Sequence, residues 1–328
     1  MIRLHHAGIG FSIHMTTPAE TYSLEDLRRW ETVTAAIQPP LRLAVIGDPV
    51  AHSASPPMHN AALAKCGLDA AYTRLHLRAE ELAEAFRLLA PKGFIGVNCT
   101  IPHKAAALRL VNRVDEHAQR IGVVNTIAVD GNDLVGFSTD GPGLVRAVRE
   151  EFGVDLRDLR VLVLGAGGGA GRAIAMQCGI EDCERLVLVN RTLEKAQALA
   201  RELAPIFSRP RVFGPGERLE VAPWEAEILR RQLEMTDLVI NCTSLGLKLS
   251  DPSPLPAHLL EPNLMIYDTI YTTARTRLMH AADEAGARSA NGLSMLLHQG
   301  ALSFEIWFNR TAPLAEMRAA LLTHVAAQ

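Results

Sequence analysis

The stretch "RVLVLGAGGGAGRAIAMQCG", residues 160 to 179, restricts the fold of this chain more than any other segment. An apolar strand runs straight into Gly165, Gly167 and Gly168 and then into a helix, with Ala170 standing where the dinucleotide fingerprint has its third glycine. Such glycines permit a tight turn and a close backbone approach to a pyrophosphate, which the unpaired N–H groups of the helix start attract. A packing turn without a ligand is the competing reading. The strand before the turn, the helix after it and a second strand at the right distance argue for the dinucleotide. The following runs "RLVLVNR", "DLVINCTS" and "LMIYDTIY" are nearly continuous in apolar residues and alternate with helical segments, which suits a parallel sheet covered on both faces.

At the end of the second of these strands, where a carboxylate would bind the ribose 2′-hydroxyl of NAD, the chain reads "VNRTLEKA". Asn190 and Thr192 can hydrogen-bond to a phosphate and Arg191 can pair with it through a planar fork, whereas an acidic residue would repel it. The segment favours NADP over NAD; the alternative is that Arg191 is a solvated turn residue.

Upstream, residues 42 to 140 alternate strand-like and helical stretches, "RLAVIGD", "PPMHNAALAKCG", "AAYTRLHLR", "EELAEAFRLLA" and "GFIGVNCT", the signature of a βαβ sheet. "VVNTIAVDGNDLVGFST" reads as two short strands around a turn containing Asp130-Gly131. The helix "GLVRAVREEFG" closes at Gly153 and links the halves, and "GLSMLLHQGALSFEIWFN" and "PLAEMRAALLTHVAAQ" read as two final amphipathic helices, with Met295 and Leu296 as core positions. The expected fold class is α/β with two domains. Residues 41–143 and 296–328 are expected to form the first domain, to which the C-terminal helices return, and residues 144–295 a Rossmann-like second one. Residues 1–40 are an irregular extension ending in Pro-Pro, in which Met15 is an alternative start and "SLEDLRRWE" a short packed helix with Ser23 as N-cap.

A formal net charge of −3 leaves no broad basic surface, so nucleic acid and anionic membranes are poor partners. Five scattered cysteines without a C-x-x-C motif suit a reducing cytoplasm, the expected location, and neither they nor the histidines show metal-ligand spacing, so no metal is expected.

"GVNCTIPHK", residues 96 to 104, raises the question of chemistry: Lys104 is either a surface charge at a helix start or the proton-handling group of an active site. In the order "GDPVAHSASPPMHNAAL", "GVNCTIPHK", "VVNTI", "GFSTDGPG", "GAGGGAGRA", "NRT", "NCTSLG" and "GLSMLLHQGA", the chain resembles the shikimate dehydrogenase family over about residues 42 to 310. The resemblance implies NADP(H)-dependent, reversible reduction of 3-dehydroshikimate to shikimate on the route to aromatic amino acids. By position it implies Lys104 and Asp140 as the catalytic pair, Ser53 and Ser55 on the substrate carboxylate, and Asn98, Thr100, Asn125 and Asp140 on the ring hydroxyls. Tyr271 and Gln299 would reach the substrate across the cleft. For the cofactor it implicates Gly165, Ala166, Gly167, Gly168, Gly169, Asn190, Arg191, Thr192, Thr243, Ser244 and Gly292. The expected partner is this small-molecule substrate, and a homodimer is left open.

Oxidising a secondary alcohol requires one positioned group to take the hydroxyl proton while the cofactor takes hydride. Lys104 serves either as that base or as an electrostatic stabiliser of the developing alkoxide, and Asp140 either orients it or caps the helix that begins at Gly141. Ser53 and Ser55 have the alternative of ordering the turn before Pro56. His52, His59 and His103 read as structural hydrogen-bonders. Ser138 stands in place of the family's usual Asn and Cys99 of its usual Val, and "YTTARTR" lacks two prolines of the family pattern, which leaves the loop after Tyr271 less rigid. A quinate or quinate/shikimate dehydrogenase, a paralogue acting on a related ring acid, and a non-catalytic NADP sensor are the competing functions.

Overall fold

The computed structural model describes residues 21–208, 217–248, 250–271 and 275–327. Met15 and the loop that lacks the two prolines, at residues 272–274, lie outside the described residues.

Two short helices, α1 (Leu24–Arg28) and α2 (Trp30–Val33), precede the first sheet. The chain then runs through β1 (Leu41–Gly47), α3 (Ser55–Lys65), β2 (Ala71–His76), α4 (Leu82–Leu89), β3 (Gly96–Cys99) and α5 (Lys104–Leu110). After β4 (Arg113–Val114) and α6 (Glu116–Ile121), the hairpin β5 (Thr126–Asp130) and β6 (Asp133–Phe137) leads into the long α7 (Asp140–Phe152). The strands order as β2-β1-β3-β5-β6-β4, with β2, β1 and β3 parallel, β5 antiparallel to both β3 and β6, and β4 parallel to β6. The hairpin turns through Gly131 at φ +61°, the left-handed backbone that the Asp130-Gly131 pair predicts.

The second sheet is built from β7 (Arg160–Leu164), α8 (Gly169–Ile180), β8 (Arg185–Val189), α9 (Leu193–Phe207), β9 (Leu219–Ala222) and α10 (Ala226–Leu233). It continues with β10 (Leu238–Asn241), β11 (Met265–Asp268), α11 (Arg277–Glu284) and β12 (Arg288–Ala290). All its pairs are parallel and the order β12-β11-β10-β7-β8-β9 is that of a doubly wound dinucleotide-binding sheet. The strand period of two explains the continuous apolar runs. Val161 and Val163 of β7 enter one core layer and Leu162 and Leu164 the opposite one, all fully buried.

The last two helices, α12 (Leu293–Phe308) and α13 (Leu314–Ala326), leave the second sheet and pack on α7 and α3 of the first. Gly143 makes the α7–α12 crossing possible, since a Cβ there would meet the Gln299 backbone nitrogen at 2.8 Å. The core layer on one face of the second sheet also takes in Ile121, Val123 and Leu144. The sheets are thereby joined through packed side chains of α7, and the facing ends of their strands bound a cleft. No helix among the described residues is long and apolar enough to cross a membrane.

Candidate active site

A cleft of about 350 Å3 between the sheets gathers residues from seven places along the chain. Ser53 enters from the loop before α3 and Ser55 from the first position of that helix, Asn98 from β3 and Thr100 from just past it, Lys104 from the first turn of α5, and Asn125 from just before β5. Asp140 opens α7, Tyr271 follows β11, and Gln299 projects from α12. Every residue expected to bind substrate or act on it therefore meets in one place.

Lys104 is not a solvated helix-start lysine: its side chain is 14% exposed and its Nζ lies 2.5 Å from Asp140 Oδ2, itself 7% exposed. Asp140 Oδ1 accepts from Asn125 Nδ2 at 3.0 Å, so both carboxylate oxygens are engaged. The helix-capping alternative gives way to a different arrangement: Asp140 is the first residue of α7, Thr139 occupies the N-cap, and no side chain caps the helix. The Asp140 carboxylate is instead turned to the lysine.

Behind this pair stands a buried polar lattice that fixes the asparagines. Asn98 Nδ2 donates to Thr126 Oγ1 and to Ser303 Oγ, each at 3.0 Å, while its Oδ1 accepts the Tyr72 hydroxyl at 2.7 Å. Asn125 Oδ1 accepts from the Thr139 N–H at 2.7 Å, which ties β5 to the start of α7. Buried polar groups are costly unless satisfied, and a satisfied lattice holds one geometry. Thr126, Thr139, Ser303 and Tyr72 belong to the site's support, and the sequence alone did not mark them.

The remaining walls have distinct origins. Cys99 is an inert small side chain here, because burial pushes its thiol up to about 12. The Tyr271 hydroxyl reaches the Ala54 backbone, between the two serines, and burial raises its pKa. Met295 and Leu296 pack in the core as expected and also line the cleft. Of the three histidines set aside from chemistry, His103 bonds the Leu77 carbonyl at 2.7 Å and His59 is fully buried, whereas His52 is exposed and lines the cleft.

A second groove of about 600 Å3 lies along the glycine turn and is lined by Gly165, Gly167, Gly168, Asn190, Arg191, Thr192, Thr243 and Ser244. Ala166 is fully buried beneath it and Gly169 heads α8, so these two stand outside the lining. Gly292 lies in the first cleft with Ala170, and a Cβ on it would meet the Thr269 carbonyl oxygen at 2.1 Å. Lys195, Trp224, Cys242 and Leu245 complete the groove and were not singled out as cofactor residues from the sequence.

The residues fit a dinucleotide phosphate. Gly165 takes φ +82°, a Cβ at Gly169 would meet nothing within 4 Å, and α8 begins without a side-chain cap, leaving bare N–H groups at a positive helix end. Asn190 Oδ1 accepts from the Gly167 N–H at 3.2 Å, which sets the Asn190–Thr192 segment against the turn. The lining carries Arg191 and Lys195 and no carboxylate among the described residues, as an additional phosphate requires.

Asp268 at the end of β11 organises the strip between groove and cleft. It is fully buried and accepts from Thr276 Oγ1 at 2.6 Å, Asn241 Nδ2 at 2.9 Å and the Ile270 N–H at 3.2 Å, while burial holds its carboxyl above the usual range. Asn241 in turn accepts from Thr243 Oγ1 at 2.8 Å and so carries the order into the groove.

A buried Lys104–Asp140 pair in one cleft and a glycine turn fitted to a pyrophosphate in a second groove are the features of a nicotinamide-dependent dehydrogenase. Residues 45–127 match the shikimate dehydrogenase substrate binding domain, residues 146–210 the shikimate/quinate 5-dehydrogenase family, and residues 292–322 the shikimate 5′-dehydrogenase C-terminal domain. The chain is 41% identical over 293 residues to the shikimate dehydrogenase (NADP(+)) of Symbiobacterium thermophilum, covering 87% of this chain and 95% of that protein. It is 38% identical over 285 residues to the enzyme of that name from Methanopyrus kandleri, covering 86% and 95%. Among solved structures it matches the shikimate 5-dehydrogenase of Thermus thermophilus in complex with NADP(H) and shikimate at a TM-score of 0.75 and 36% identity, covering 87% of this chain and 99% of that one. The chain belongs to the shikimate dehydrogenase family.

Proposed function

We propose that this chain is an NADP-dependent shikimate dehydrogenase, interconverting 3-dehydroshikimate and shikimate, with Lys104 and Asp140 as its catalytic pair. The observation that carries the reading is the Lys104–Asp140–Asn125 cluster at the floor of the cleft. Residues 41–143 with 296–328 hold the substrate, and residues 144–295 hold the cofactor. Gly165, Gly167 and Gly168 face the pyrophosphate, while Asn190, Arg191 and Thr192 hold the 2′-phosphate. Thr243 and Ser244 border the same groove.

Bound NADP(H) supplies the hydride acceptor or donor. The chain's own task is the proton. In reduction, the Lys104 ammonium donates to the ketone oxygen as negative charge grows there; in oxidation, the neutral amine takes the hydroxyl proton. Asp140, held by Asn125, fixes where Nζ points in both directions. Ser53 and Ser55, with Tyr271 beside them, present hydroxyls to the ring carboxylate, and Asn98, Thr100, Asn125 and Gln299 address the ring hydroxyls. Fixing several contacts around a small ring sets the reacting carbon in one orientation.

The test is initial rate at the reduced-nicotinamide absorbance band with shikimate and quinate, each paired with NADP and NAD. Turnover confined to shikimate with NADP is expected. Preference for quinate or NAD moves the chain to the quinate branch of the family, and no turnover with any pair removes the catalytic reading.

A further inference from the structure

We propose that the N-terminal segment, residues 22–33, is a brace for the substrate-binding loop 48–55, with Arg74 the positioning residue through which it acts. Strand β2 is one of the two outer strands of the first sheet, and alternate residues along it share a face. Two of them reach residues of the cleft and the third reaches the head of the serine loop. The Tyr72 hydroxyl bonds Asn98 Oδ1 at 2.7 Å, the Arg74 guanidinium donates to the Ser53 carbonyl through Nη2 at 2.7 Å and Nε at 3.2 Å, and His76 Nε2 lies 2.8 Å from Asp48 Oδ1. Both ends of the loop that carries the serines are therefore held from β2.

An outer strand lacks a partner on one side, which leaves such a ladder poorly fixed. Here Tyr22 takes the partner's place. Its N–H donates to the Arg74 carbonyl at 2.9 Å and its carbonyl accepts from the His76 N–H at 2.8 Å, bracketing Leu75. The segment is anchored by Trp30, 3% exposed, whose ring lies 5.1 Å from Tyr22 and 5.2 Å from Phe94. The ion pairs Arg28–Glu84 and Lys92–Glu31 are exposed on at least one partner and add little. The matched substrate-domain family begins at residue 45, after the brace.

The kinetic readout rests on the function proposed above; the exchange readout does not. The full chain is compared with Arg74→Gln, Trp30→Ala and the double variant. Arg74→Gln is expected to raise KM for shikimate about tenfold, the scale of one charged hydrogen bond, with kcat and NADP affinity within about twofold. Trp30→Ala is expected to raise the same KM and Trp30→Phe to restore it; on top of Arg74→Gln, Trp30→Ala adds nothing further. Amide hydrogen exchange in residues 48–55 rises in both single variants. Additive KM effects, an equal fall in kcat and NADP affinity, or unchanged exchange would overturn the brace. Should Trp30→Ala not fold, Tyr22→Pro, which removes the N–H bonded to Arg74, takes its place with the same expected pattern. If the unaltered chain does not turn over shikimate, the proposed function fails and exchange alone decides the brace.

Discussion

The chemistry of the cleft comes down to what each charged side chain faces. Asp140→Asn keeps the shape and the bond to Asn125 but removes the charge opposite Lys104 Nζ. Loss of an oriented acid/base geometry is worth about 10²–10⁴ in rate, so kcat should fall on that scale while NADP affinity, measured by fluorescence titration, stays unchanged. At the other groove, Arg191→Ala should weaken NADP by roughly ten- to a hundredfold, the value of a charge-assisted phosphate contact, and leave NAD affinity nearly unchanged. Equal weakening of both would remove the 2′-phosphate contact from Arg191. These residues were legible because they sit in short motifs with local order. Thr126, Thr139 and Ser303 were not, because nothing in "NTI" or "GALSFEIWF" announces a hydroxyl lattice that closes only when β5, α7 and α12 meet.

Among the elements, the glycine turn makes the sharpest contrast between packing and binding. A Cβ at Gly171 would meet the Gly165 carbonyl oxygen at 2.2 Å and the Ala166 Cα at 2.9 Å, both backbone, so Gly171→Ala must push α8 off the turn. Overpacking of this kind costs about 1–3 kcal/mol, and thermal melts should show it together with weaker NADP binding. Gly169→Ala meets nothing within 4 Å, so it should keep stability and weaken NADP alone. Equal melting temperatures for the two variants would contradict this division. The central strands β7, β8, β10 and β11 were legible because burial on both faces leaves a continuous apolar run. Strands β9 and β12 were not: they are the outer strands of the second sheet, Leu219–Ala222 is mostly half-buried, and Arg288–Ala290 includes an exposed position. Helix α6 escaped the sequence reading through its brevity, although Asp115 caps it with bonds to His117 and Ala118.

For the molecule as a whole, packing the C-terminal helices back onto the first sheet buries a titratable group that catalysis does not use. His59 is fully buried against Tyr72 and Trp307, and burial pushes its imidazole from 6.5 down to about 3. Between those pH values the unfolded chain holds a proton that the folded chain refuses, so stability is retained above pH 6.5 and declines as pH falls through the window. The slope from one such group reaches about 1.4 kcal/mol per pH unit. Urea midpoints at pH 7 and pH 5 should therefore fall more steeply for the parent chain than for His59→Phe, and parallel slopes would show that His59 is not the acid-sensitive group. The same packing brings Gln299 of α12 and Tyr271, which follows β11 of the second sheet, to a cleft shared with residues of the first, which is why the site depends on the joined sheets. The most direct test of that shared site is Lys104→Ala, assayed for shikimate-dependent NADPH formation beside NADPH binding by fluorescence. Turnover lost with NADPH affinity intact is the expected result; turnover within tenfold of the parent would contradict Lys104 as the group that moves the proton.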